Sequence, residues 1–146
     1  MSQRALGRLF NTTPAADGAW IALKGAAAGV TFSCYLGGGV GDVYTLQEAK
    51  DSSGTGAQNL ACIAEYHTCT GNGSDAWTRR TQAAGATVTT AAAATQNAAV
   101  IEVEGTSLSD GYRYVKLTST GAGTVNALTR DLGVMRAPAS LPATGA

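Results

Sequence analysis

His67 is the only histidine in the chain, and two of the three cysteines, Cys62 and Cys69, flank it. Imidazole and thiolate are the usual zinc ligands, so a metal centre is the first chemistry to weigh. The spacing opposes it. Six residues separate the two cysteines, against about two to four in structural zinc sites, and a fourth ligand would have to be the distant Cys34. If residues 60–68 form a strand, Cys62 and His67 also point to opposite faces. The expectation is a buried thiol and a surface imidazole, with no metal. A second candidate is the cluster Gly37-Gly38-Gly39-Val40-Gly41-Asp42, which follows a strand-like run as a phosphate-binding loop would. The third glycine of that fingerprint falls on Asp42, and no helix signal follows to offer its N-terminal dipole to a phosphate. A mobile hairpin loop is expected instead, and no cofactor.

Nucleophilic chemistry finds no support either. No G-x-S-x-G elbow occurs. The ten acids, from Asp17 to Asp131, show no pairing of carboxylates and are expected at turns and on outward strand faces. Leu141-Pro142-Ala143-Thr144-Gly145 spells a sortase sorting motif, but only Ala146 follows it, with no apolar span or basic tail. Asn11-Thr12-Thr13 and Asn72-Gly73-Ser74 match the glycosylation sequon and are read as turn residues. No residue is assigned a catalytic role, and the chain is not expected to be an enzyme.

Composition points the same way. Lysine plus arginine and aspartate plus glutamate balance, 10 against 10, which disfavours nucleic-acid binding, where affinity comes largely from phosphate neutralisation. No apolar run reaches the roughly 20 residues of a membrane span. Met1-Ser2-Gln3-Arg4 is not followed by a signal-peptide stretch, so synthesis in the cytoplasm and reduced thiols are expected. Leu, Ile, Val and Phe supply 25 of the 146 residues, while alanine supplies 28. Alanine buries little area, so the composition predicts a thin core that gains stability from subunit contacts.

The elements that must position these residues read as strands. Short runs at 19–23, 30–36, 43–50, 60–68, 76–80, 86–90, 100–104, 112–118 and 124–135 alternate in polarity, with Gly, Asn, Ser and Asp between them. Residues 43–50 could also be helical, since Gln-Glu-Ala-Lys favours a helix, but the run is short and bounded by Gly and Asp. Val30, Phe32 and Cys34 should share a face, as should Leu60, Cys62, Ala64 and Tyr66, and Leu128, Leu132 and Val134. Residues 91–99 read as a loop with a possible short helix, and Asn72-Gly73 as a turn with positive φ at Asn-Gly. The fold class is all-β: a β-sandwich or small barrel of about eight to nine short antiparallel strands. One domain is expected over 1–146, with an N-terminal arm at 1–17, a β body at 18–135 and a C-terminal tail at 136–146.

One stretch is more specific. Gln47-Glu48-Ala49-Lys50-Asp51-Ser52-Ser53-Gly54-Thr55-Gly56-Ala57-Gln58-Asn59-Leu60 resembles a segment of a family of small head proteins from tailed bacteriophages. Ala76-Trp77-Thr78, Val100-Ile101-Glu102-Val103, Asp110-Gly111-Tyr112-Arg113-Tyr114-Val115 and Arg136-Ala137-Pro138 follow in the same order. The resemblance implies a capsid decoration or minor capsid protein that binds the outside of a phage capsid and cements the major capsid protein lattice. It implies a virion location after synthesis in the host cytoplasm, the major capsid protein as partner, and a homo-oligomer, with a trimer among the forms considered. Neither nucleic acid nor membrane is an expected partner. Within that reading the candidate partner-binding residues lie in the arms: Arg4, Arg8, Phe10, Arg136, Pro138 and Leu141. The alternatives are a tail-tube or head–tail joining protein and, from another class, a carbohydrate-binding sandwich module.

Overall fold

Alternation of buried and exposed side chains along short runs forces extended chain, and extended chain must pair. The computed structural model describes residues 12–132. The strands are β1 Thr12–Thr13, β2 Ile21–Ala22, β3 Ala27–Tyr35, β4 Val43–Ala49, β5 Gln58–Asn59 and β6 Ile63–Cys69, then β7 Thr78–Gly85, β8 Thr87–Thr89, β9 Ala98–Glu104, β10 Tyr114–Ser119 and β11 Thr124–Leu132. Two single 3₁₀ turns, Ala94–Gln96 and Gly105–Ser107, are the helical elements among the described residues.

The strands form two antiparallel sheets. The larger runs β1-β11-β3-β9-β6-β7; the smaller runs β2-β10-β4-β5, with β8 also pairing β4. Both are open, so the architecture is a sandwich and not a barrel. One apolar cluster joins the sheets: Val30, Phe32 and Cys34 of β3, Ile101 and Val103 of β9, and Val125 and Ala127 of β11 meet Tyr44 and Leu46 of β4 and Val115 and Leu117 of β10. Phe32 and Tyr44 are its bulky aromatics, and Ala16, Ala27, Ala99 and Ala127 fill the spaces between larger residues.

The helix-or-strand ambiguity at 43–50 resolves as strand. Tyr44, Leu46 and Glu48 all face inward, which only a period of two allows. Several expectations are corrected or sharpened. Ile63 is buried while Ala64 is exposed, so the alternation expected through Leu60–Tyr66 does not hold, and the register against β7 shifts at the same point, between Ile63 and Glu65. In β11 the inward residues are Val125, Ala127 and Thr129, so the side expected to carry Leu128 is the outer one. The glycine cluster is not a hairpin: β3 and β4 belong to different sheets, so residues 36–42 cross between them. In the β6–β7 loop the positive φ angles fall on Gly71 and Gly73, not on Asn72. The core also starts earlier than residue 18. Thr12 and Thr13 pair with Leu128 and Ala127, and Ala16 is fully buried.

The segment carrying the phage resemblance is a structural knot. Asp51 accepts backbone N–H bonds from Ser53 and Thr55, and hydrogen bonds from Thr55 and Ser53 pull its carboxyl down to about 2. Gly54 has φ +86° and lies under the Trp20 indole, where an added Cβ would come within 2.9 Å of Nε1. Lys116 caps the same indole at 4.5 Å from the ring centroid. Gly54→Ala therefore meets both a left-handed backbone and an indole in its path. A loss of about 1–3 kcal/mol in urea unfolding is expected, and an unchanged midpoint would contradict this packing.

Candidate docking surface

Four connections gather at one end of the sandwich: 36–42, 70–77, 90–97 and 120–123. Strand register brings them together. Thr124 pairs with Tyr35, Tyr35 with Ala98, and Ala98 with Cys69, so one row of the larger sheet ends beneath all four. Hydrogen bonds then tie loop to loop. The Gly39 N–H donates to Asn97 Oδ1 at 3.0 Å, and the Leu36 N–H to the Asn97 carbonyl at 2.8 Å. Gly41 presses on the Thr90–Ala92 backbone so closely that an added Cβ would sit 2.6 Å from the Thr90 carbonyl oxygen. Gly71 sits against the Tyr35 ring and the Ala98 methyl.

Asp42 anchors this end. Its carboxylate is buried and accepts from the Val43 N–H at 2.7 Å, the Gly121 N–H at 2.9 Å, Thr120 Oγ1 at 3.1 Å and the Thr120 N–H at 3.2 Å, as well as from the Ser119 hydroxyl. Its own N–H donates to Thr90 Oγ1. Burial alone would raise its pKa, but the bonds from Ser119, Gly121, Val43 and Thr120 outweigh burial and hold the carboxyl below its ordinary value. A second buried carboxylate, Glu48, anchors the opposite end. It accepts from Gln58 Nε2 at 2.7 Å, the Ser109 N–H at 2.8 Å and the Ser109 hydroxyl at 2.5 Å. Burial opposes ionisation there too, and the Ser109 and Gln58 bonds win, with Lys24 adding. Glu48 was expected on an outward face and is buried, whereas Asp42 lies in a connection as expected, with its carboxylate turned into the protein.

The surface over Asp42 is short of charge. Across the four connections the charged residues are Asp42, which is buried, and Asp75, whose carboxylate accepts from the Thr70 N–H. The turn between β1 and β2 reaches the same end and adds the exposed Asp17, whose carboxylate accepts from the Ser119 N–H, so these connections carry three acids and no lysine or arginine. All three large exposed hydrophobics of the described residues are here or at the rim: Tyr35 at 47%, Val40 at 63% and Trp77 at 49%. The exposed Ala91, Ala92 and Ala94 extend the patch. The opposite end differs. Its connections carry Lys24, Lys50, Asp51, Asp110 and Arg113. Scattered apolar residues mean little on a protein surface, but an aromatic cluster from which charge is depleted has the composition of an interface centre.

Cys62 packs against the core at the start of β6, and His67 lies further along that strand on its outer face. Among the described residues no three His, Cys, Asp or Glu side chains converge on one point. All three cysteines are free thiols. Burial, with Asp42 and Asp17 adding, pushes the Cys34 thiol up to about 12, and burial also raises Cys62. In the folded protein a thiol reagent at neutral pH is expected to reach Cys62 alone, and slowly, with Cys34 and Cys69 reacting only on unfolding. Rapid labelling of all three in native buffer would contradict this burial. The predicted partner-binding residues Arg4, Arg8, Phe10, Arg136, Pro138 and Leu141 lie outside the described residues. Tyr35 and Val40 were not singled out from sequence, and Trp77 entered only within the stretch Ala76-Trp77-Thr78 that carries part of the family resemblance. The available signal was the absence of charge from four separate glycine- and alanine-rich connections.

No protein-family model matches the chain, and no curated protein or solved structure matches it.

Proposed function

We propose that this protein is structural and not catalytic, and that it docks onto other protein subunits through the end of the sandwich that displays Tyr35, Val40 and Trp77. Following the resemblance in residues 47–60 and beyond, the partner is the major capsid protein of a tailed phage, and docking cements the capsid lattice from outside. The observation that carries the docking reading is the convergence of every large exposed hydrophobic of the described residues on one charge-poor end. The phage assignment draws on sequence resemblance. Two features suit a rigid docking end. The buried Asp42 network locks the connections before binding, and little side-chain entropy is lost when alanines, glycines and an aromatic are covered.

The test is co-sedimentation of the purified protein with heads of the virus that encodes it, followed by electron microscopy. Density at regular lattice positions is the expected result. Rings or tubes of the protein alone would favour the tail-tube or head–tail joining role instead. The exposed Tyr35 and Trp77 also favour a second reading, a carbohydrate-binding module with an aromatic platform. Binding on a glycan array, without binding to heads, would replace the capsid reading by that one.

A further inference from the structure

A different part of the larger sheet is left unfinished. β6 and β9 pair over three residues, His67–Cys69 against Val100–Ala98. Beyond that point Ile63–Tyr66 and Ile101–Glu104 form no ladder, and over the same stretch the pairing of β6 with β7 shifts register between Ile63 and Glu65. Between the two strands opens a groove of about 270 Å³ on the outer face, lined among others by Tyr66, His67, Val100, Glu102 and Glu104. Strand edges that lack a neighbour accept an added strand, with main-chain bonds giving affinity and alternate side chains giving specificity.

The charges in this groove point to the occupant. Glu65 is paired with Arg79, and Glu104 with Arg130. Glu102 accepts only a long 3.4 Å bond from Thr31 Oγ1 and forms no ion pair among the described residues, although Arg130, which is paired with Glu104, feels its charge. The chain before Thr12 reads Met-Ser-Gln-Arg-Ala-Leu-Gly-Arg-Leu-Phe-Asn: two arginines, no acid. In an extended strand Arg4, Leu6, Arg8 and Phe10 fall on one face. That cation–apolar alternation matches the outward row Val100, Glu102 and Glu104 of β9, which has the same spacing of two. Eleven residues reach about 36 Å when extended, against about 13 Å for the four-residue opening.

We infer that residues 1–11 of one copy of this chain add as a strand along the open edge of β9 in a second copy, with an arginine on Glu102. A second copy is favoured over the same chain because the arm starts at the far edge of the sheet. Thr12, Leu128, Thr31 and Glu102 lie in one row across β1, β11, β3 and β9, so a strand added beyond β9 stands four strand spacings, about 19 Å, from Thr12, and crossing them uses about six of the eleven residues before any pairing begins. One row further along, Arg130 crosses Gly29 to pair with Glu104 on the same outer face. The contact joins the start of one copy to the middle of another, so it closes as a two-fold dimer when the two arms are exchanged and builds rings or chains when they are not. It is separate from the end bearing Trp77 and does not rest on the capsid reading.

Sedimentation velocity on the full-length protein tests it. Self-association is expected, and either Glu102→Arg or the pair Arg4→Glu with Arg8→Glu should weaken it at least about tenfold. Combining the two sets should restore most of the loss, which a mere folding defect would not do. Circular dichroism confirms that each variant keeps its sheet content. A wild-type protein that stays monomeric at all concentrations, association indifferent to Arg4 and Arg8, or failure of the combined variant to recover would each overturn the inference. So would a cross-link between residues 1–11 and β9 found within single chains and not between chains.

Discussion

Asp42→Ala is expected to cost about 3–5 kcal/mol of folding stability, a large share of the roughly 5–15 kcal/mol available to a domain of this kind. The reason is the number of donors left behind. Val43 and Gly121 would lose the acceptors of their backbone N–H groups and Thr120 that of its hydroxyl, while the Thr120 N–H would keep the Val43 carbonyl at 3.1 Å and the Ser119 hydroxyl the Gly121 carbonyl at 3.3 Å. Removing one partner of a buried hydrogen-bonded charge costs more than the bond was worth, because the remaining polar groups stay desolvated. Asp42→Asn keeps the shape and one oxygen, so it should lose less. The carboxyl titrates below its ordinary value in the folded state, and Glu48 does likewise. The sign follows: the stabilisation from both groups is fully present above their unfolded values of about 4 and is lost as pH falls through the depressed folded values. Urea unfolding should show a flat plateau from neutral pH to about 5 and a decline below about 4. That decline should be shallower in Asp42→Asn. A loss under about 1 kcal/mol in Asp42→Ala would mean the network does not hold the loop end together.

The second large effect is on binding. Trp77→Ala, in a protein that remains folded, should weaken docking to heads by about 30-fold or more, the scale of a buried aromatic anchor worth at least about 2 kcal/mol. Tyr35→Ala should act in the same direction. Trp77 is half exposed and precedes β7, so its truncation removes little from the core and stability should change by less than about 1 kcal/mol. Charge changes at the other end, Lys24→Ala or Arg113→Ala, should leave docking unaltered. The comparison separates a surface effect from a folding effect, because only the loop-end variants should lose affinity while keeping the wild-type unfolding midpoint. Equal occupancy by wild type and Trp77→Ala would remove Trp77 from the interface.

Much of the fold was legible in the sequence, and the reasons are local. Val30, Phe32 and Cys34 alternate with polar residues, as do Ile101 and Val103 with Glu102 and Glu104, and both sets took the predicted faces. Where local pattern failed, a non-local cause intervened. The bulge after Ile63 depends on where β6 meets β7, which no residue of β6 announces. Which side of β11 faces the core was not legible either: the register against β3 sets Ala127 beside Phe32 in the core and Leu128 beside Thr31 on the outer face. Glu48 shares its parity with Tyr44 and Leu46, so its burial was readable from the strand period alone. It was missed because carboxylates are ordinarily placed outside. The docking end was least legible. Tyr35, Val40 and Trp77 lie in separate segments, and it is the non-sequential pairing of β3 with β9 and β11, and of β9 with β6, that assembles them. The stretch that most resembled a family proved to be a turn built on Asp51, Gly54 and Trp20, which explains its residues by folding and assigns them no contact with a partner.

The most direct measurement is the orientation of the bound protein, by electron microscopy of decorated heads at a resolution that traces strands. The sandwich should stand on the shell with connections 36–42, 70–77, 90–97 and 120–123 against the capsid surface and Trp77 buried in the contact. Lys24, Asp110 and Arg113 should face solvent. Density placed the other way up, or a shell left bare in the presence of folded protein, would contradict docking through the loop end.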